Sequence, residues 1–143
     1  MLSFGATKGG ALGAEAIVAF NLDAGEEIER RRKRGGHLIC KGRYAAAQLL
    51  AYLEGGLWLK LAQRANALSH DIGEAAGPLL MLPVETNQIF IRTDPAQKAR
   101  LLAAGVDFYE WGAEGSGEVR FVVSWDQPEE EVAALSALLR SLR

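Results

Sequence analysis

A single cysteine, Cys40, stands in the whole chain. No internal disulfide can form, and the composition suits a reducing cytoplasm, which is the expected compartment. Long apolar runs are also missing. None approaches the roughly 20 residues that a membrane-spanning helix needs. The N-terminus is apolar but has no basic leader and carries Lys8 in its middle, so it does not read as a signal peptide. Neither sign of charge dominates, with 16 Lys and Arg against 18 Asp and Glu and a formal net charge of −2. That balance gives no whole-chain attraction to nucleic acid or to a membrane surface, and neither partner is expected. The two histidines, His37 and His70, have no second ligand at metal spacing, so no metal site is expected. There is no internal repeat. What is present is 143 residues of which 49% are hydrophobic, enough for a core and too many for a disordered chain.

The opening stretch organises the rest. Residues 2–7 and 14–21 are apolar and read as two buried strands, and Gly9, Gly10 and Gly13 tighten the connection between them. Lys8 is thereby held at the lip of a sheet. A lysine between apolar walls is a better nucleophile toward a carbonyl, because desolvation disfavours the ammonium form. By spacing alone, a surface lysine in a glycine-rich hairpin is the simpler reading.

Further along, Asp23 is placed to cap a helix beginning near Gly25, with Glu26 and Glu27 in its first turn. That helix ends in five consecutive basic residues, 30–34, followed by Gly35 and Gly36. A basic run can mark a nucleic-acid site, but no second basic patch or interleaved aromatic accompanies it. Cys40 reads as a small buried residue. Residues 44–53 and 57–75 are two helices with Glu54, Gly55 and Gly56 between them, a helical hairpin. After Gly77 and Pro78 come a strand over 85–92 with Ile89 and Ile91 on one face, and a helix with Asp94 at N-cap and Pro95 at N1. A short strand over 107–111, the strongest strand over 118–125 and a terminal helix complete the chain. Strand, helix, strand, strand, helix predicts a three-stranded antiparallel sheet with helices on one face.

Arg120 interrupts an apolar strand, on the face shared by Val122 and Ser124. A half-buried guanidinium needs an anion. Either a local carboxylate such as Glu118 or Glu85 pairs with it, or it grips an external carboxylate through its fork.

Three blocks of sequence share one resemblance: SFGATKGGALGAEA (3–16), RRKRGGHL with AAAQLLAYL (31–38 and 45–53), and VRFVVSW (119–125). In order, over nearly the whole chain, they resemble the low-specificity threonine aldolases, β-eliminating lyases among the fold type I pyridoxal-phosphate enzymes. The family usually has Asn after the lysine, where Gly9 stands here. The resemblance implies an α/β fold class, the end of a pyridoxal-phosphate large domain over 1–35, a connecting and dimer-contact helical hairpin over 36–78, and a small α+β C-terminal domain over 79–143. It implies that Lys8 carries pyridoxal phosphate as a Schiff base and that Thr7, beside it, can hydrogen-bond the cofactor. Lys33, then Arg32, would supply a cation near a phosphate or substrate anion. Arg120 would clamp the α-carboxylate of an amino-acid substrate.

The implied reaction is aldol cleavage of a β-hydroxy-α-amino acid, threonine or allo-threonine, to glycine and an aldehyde, by a homo-oligomer. In the family the lysine lies well past the middle of the protein, so the chain reads as a C-terminal part. The phosphate loop, the ring-stacking histidine, the aspartate on the pyridine nitrogen and a second carboxylate-binding arginine come from upstream in the family and have no positions here. The isolated chain is therefore expected to be inactive. Another fold type I β-eliminating lyase would use Lys8 and Arg120 alike. A non-catalytic assembly module built on the helical hairpin is the other alternative.

Overall fold

A computed structural model describes residues 1–143. The chain groups into two units, Met1–Lys60 and Leu61–Arg143. Gly35 and Gly36, and Gly77 with Pro78, mark the ends of helices.

The first unit opens with the antiparallel ribbon β1 (Leu2–Gly5) and β2 (Glu15–Val18), in a register that sets Phe4 opposite Ala16. The helices α1 (Leu22–Arg34) and α2 (Arg43–Leu53) follow, and the first residues of α3 (Leu57–Ala76) end the unit. The two strands are not the buried pair that their composition suggests. Leu2 is 49% exposed and Ile17 59%. A two-stranded ribbon has two faces, and within this unit only Phe4 finds aromatic partners, in Tyr52 and Trp58. Helix α1 begins three residues earlier than expected. Its N-cap is Asn21, whose side chain accepts the Ala24 N–H at 2.8 Å, so Asp23 lies in the first turn instead of capping it. Cys40 is exposed, not buried, because it lies in the irregular link between α1 and α2.

The second unit is the expected antiparallel sheet with helices on one face. Strands β3 (Gln88–Arg92), β4 (Tyr109–Trp111) and β5 (Glu118–Val122) lie in the order β3-β5-β4. Ile89, Ile91, Val119 and Phe121 point to one face and meet Leu68 and Ile72 of α3, Leu101 of α4 (Pro95–Ala103) and Leu139 of α5 (Glu129–Ser141). Helix α4 starts on a capping box, with the Asp94 carboxylate accepting the Gln97 N–H and the Gln97 side chain accepting the Asp94 N–H. Strand β5 ends at Val122, three residues short of its apolar run. The Val123 N–H still bonds the Asn87 carbonyl, but the Ser124 hydroxyl turns to Asp126 and breaks the ladder. Strand β4 is also short. It pairs only with Glu118, Val119 and Arg120, so β5 is unpaired on that side beyond Arg120.

Candidate active site

Lys8 is carried on a 3₁₀ turn, Thr7–Gly9, between β1 and β2. The turn is tied at its base. The N–H groups of Gly9 and Ala11 both donate to the Ala6 carbonyl, at 3.0 and 3.1 Å, and the Ala6 N–H donates to the Ala14 carbonyl at 2.9 Å. Ala6 and Ala14 are fully buried, and Gly10 closes the turn at φ 110°. Helix α2 braces the same loop. Its Gln48 side chain accepts the Leu12 N–H at 2.6 Å. A Cβ on Gly9 would lie 2.7 Å from Cζ of Tyr52, so that phenol occupies the space a side chain at position 9 would fill.

On this turn Lys8 is exposed, and its amine makes no ion pair or hydrogen bond. The apolar walls expected around it are not supplied by these residues, because the ribbon's own faces are open. Thr7 is exposed too, and its hydroxyl donates to Glu15 Oε1 at 2.6 Å. Its proton is thus committed, while its oxygen can still accept.

The basic run ends α1, where cations favour the carbonyl end of the helix. Its members differ in how free they are. Arg30 pairs with Glu26 at 2.9 Å and Arg31 with Glu27 at 2.7 Å. The Arg31 hydrogen bond and charge hold the Glu27 carboxyl below its usual range. Arg32 donates through Nε to the His37 carbonyl at 3.2 Å. Lys33 is exposed and unpaired. With Arg30 also reaching Glu27 at 3.7 Å, three ion pairs between residues one helical turn apart leave the run less cationic than its sequence suggests.

Arg120 lies in the second unit, half-buried on the sheet face turned away from the helices. Its neighbours across the strands are Phe90 and Tyr109. The guanidinium carbon lies 4.7 Å from the centre of the Tyr109 ring and 4.8 Å from that of Trp111. Phe90 meets the edge of Trp111 at 5.5 Å. Neither local carboxylate takes Arg120. Glu118 pairs with Arg92 at 2.8 Å, set by the register that places those two opposite one another, and Glu85 is exposed without a cation partner. Nε of Arg120 is buried without a hydrogen-bond partner. A cleft of about 800 Å³ lies on the helix side of the sheet, lined by Ile72, Val106, Phe108, Phe121, Val132 and Leu135 among others, and Tyr109 and Arg120 border it too.

Lys8, Thr7 and Lys33 thus belong to the first unit and Arg120 to the second. An uncommitted primary amine on a tied turn fits a carbonyl-bearing group, and the unpaired Lys33 and Arg120 fit anions. Sequence reasoning missed Tyr52 against Gly9, and Tyr109 and Trp111 under Arg120. Their signal was faint, an aromatic at i and i+2 of a short strand whose register the sequence leaves open. It also missed that His70 has neighbours that could share an ion. The donor atoms of His70, Asp71 and Glu74 lie within 4.8 Å of one another on the exposed face of α3. No helix is long and apolar enough to cross a membrane.

No family model matches the chain. It is similar to curated low specificity L-threonine aldolases from two Pseudomonas sources. It is 39% identical over 147 residues to that of a Pseudomonas species, which covers 99% of this chain and 42% of the relative. To that of Pseudomonas aeruginosa it is 38% identical, over 98% of this chain and 41% of the relative. The chain therefore spans about two-fifths of the length of these relatives. Among solved structures, a threonine aldolase of Leishmania major superposes with a TM-score of 0.69 at 25% identity, covering 80% of this chain and 34% of that one.

Proposed function

We propose that the chain belongs with the low-specificity threonine aldolases as their C-terminal portion, and that it supplies the cofactor lysine and a substrate-carboxylate arginine for aldol cleavage of a β-hydroxy-α-amino acid. The products are glycine and an aldehyde. The observation that carries this reading is the uncommitted lysine on a braced turn of the first unit; within the second, an arginine that no carboxylate of the chain satisfies supports it.

Lys8 would hold pyridoxal phosphate through its amine, and the chemistry supplied there would be an electron sink for cleavage of the Cα–Cβ bond. The ties at Ala6 and the brace from Gln48 fix the backbone that carries the amine, so its approach to a carbonyl is preorganised. Thr7 offers its oxygen as an acceptor beside Lys8. Lys33 offsets the charge of a phosphate or substrate anion. Arg120 receives the substrate α-carboxylate, which fixes the rotation about the Cα bonds and hence which of them breaks. Several apolar side chains of the first unit, among them Ile17, Phe20 and Leu50, are exposed, which supports their being covered by the remainder of the fold or by a second copy in a homo-oligomer.

Aldehyde release tests the proposal. With pyridoxal phosphate and threonine or allo-threonine, the chain by itself is expected to release none. Supplied with a separately produced N-terminal portion of the Pseudomonas aeruginosa relative, it is expected to release acetaldehyde and glycine, and Arg120→Ala to lower kcat/KM by roughly a hundredfold or more. Complementation without any aldehyde, or with Arg120→Ala at full efficiency, would contradict it.

A further inference from the structure

We propose that Tyr109 and Trp111 are positioning residues for Arg120, holding its guanidinium so that a carboxylate is received end-on, by Nη1 and Nη2, and not along the Nε edge. This deepens the role of Arg120 proposed above and rests on it.

An arginine fork can grip a carboxylate in two bidentate ways, through its two terminal nitrogens or through Nε and one of them. A free side chain offers both. Here the choice is made by the sheet. Register puts Tyr109 directly opposite Arg120, and Trp111, two residues on, shares that face. The guanidinium carbon lies 4.7 and 4.8 Å from the two ring centres. Nε is shut off from solvent and has no hydrogen-bond partner within the chain. A carboxylate can reach it only if the side chain moves. The terminal nitrogens also lack protein partners, yet they are not sealed in the same way.

A buried N–H left unpaired is costly and calls for a reason. The aromatic pair provides one. A guanidinium is weakly hydrated, and ring faces compensate its partial burial by cation–π attraction. The unpaired Nε is then the consequence of holding the fork in one orientation. Phe90 supports this arrangement from the other neighbouring strand, since its ring meets Trp111 edge-on at 5.5 Å. Glu118, the one carboxylate on this face near enough in register to capture the fork, is drawn off by Arg92 at 2.8 Å.

Nitrogen-15 NMR of the arginine side chains, in the full chain titrated with acetate at constant ionic strength, reads the two edges separately. The expected result is that the Arg120 Nη resonances move with acetate while Nε barely does. Tyr109→Leu and Trp111→Leu are each expected to weaken acetate binding at Arg120 roughly tenfold, with Nε joining the response. Tyr109→Phe and Trp111→Phe, which keep a ring, should restore both the affinity and the pattern. If Nε moves as far as Nη in the wild type, or the leucine variants bind as wild type does, the positioning role is overturned while the role of Arg120 stands. If no Arg120 resonance responds to acetate at all, the role of Arg120 itself fails, and this inference with it. The wild-type comparison of Nε with Nη decides the matter even where a leucine variant does not fold.

Discussion

Gly117→Ala is expected to destabilise the second unit by roughly 3 kcal/mol or more, the sum of a backbone penalty and a collision. Gly117 sits at φ 73°, where an L side chain brings its Cβ against the backbone. That alone costs roughly 1–2 kcal/mol. An added Cβ would also lie well inside contact distance of the Thr93 carbonyl oxygen. The backbone there cannot move away cheaply. The Gly117 carbonyl accepts both the Thr93 N–H at 2.8 Å and the Thr93 hydroxyl at 3.1 Å, and Thr93 is buried. These bonds close the end of the β3–β5 pair, where Arg92 stands opposite Glu118. Gly115→Ala is the matched control. Gly115 has φ 77° with nothing near the added carbon, so it should lose only the backbone part, roughly 1–2 kcal/mol. Urea midpoints of the two variants, compared at equal slope, separate collision from conformation. Equal losses would show that the Thr93 contact gives way.

Ile91→Ala should cost about 3–4 kcal/mol, a large share of the stability of a small domain. Ile91 is fully buried in β3, faces Val119 across the ladder, and is bridged by Leu80 on its other side. Backbone pairing on both flanks limits collapse into the space left, so the cavity term adds to the lost transfer energy. Val122→Ala, on the opposite face and 46% exposed, should change stability by less than about 1 kcal/mol. A small loss for Ile91→Ala would mean that the sheet can close over the gap and is less tightly fixed than its register implies.

The parts of this fold written in local sequence were readable. Alternation in β3 placed Ile89 and Ile91 on the core side, and Asp94 followed by Pro95 located the start of α4. Burial of β1 and β2 was not readable, because an apolar strand says that it can be covered and not what covers it. Asn21 displaced Asp23 as the cap because either side chain can serve, and the choice depends on where the preceding strand releases the backbone. The surroundings of Arg120 were hidden for a different reason. Of its two carboxylate candidates only Glu118 was nearby in sequence, and strand register decided that Glu118 meets Arg92 while Arg120 meets Tyr109. Register is a long-range property, fixed by the whole ladder. The importance attached to Lys8 came from the residues around it matching a family segment, since a lysine in a glycine-rich turn is otherwise ordinary.

The most direct test of the central proposal is borohydride trapping of pyridoxal phosphate, with peptide mass mapping, on the chain complemented by the N-terminal portion of a Pseudomonas relative. A reduced pyridoxyl label is expected on Lys8 alone at low cofactor concentration, and none on the chain carrying Lys8→Ala. A label scattered over Lys33, Lys41, Lys60 and Lys98 with Lys8 unmodified would contradict it.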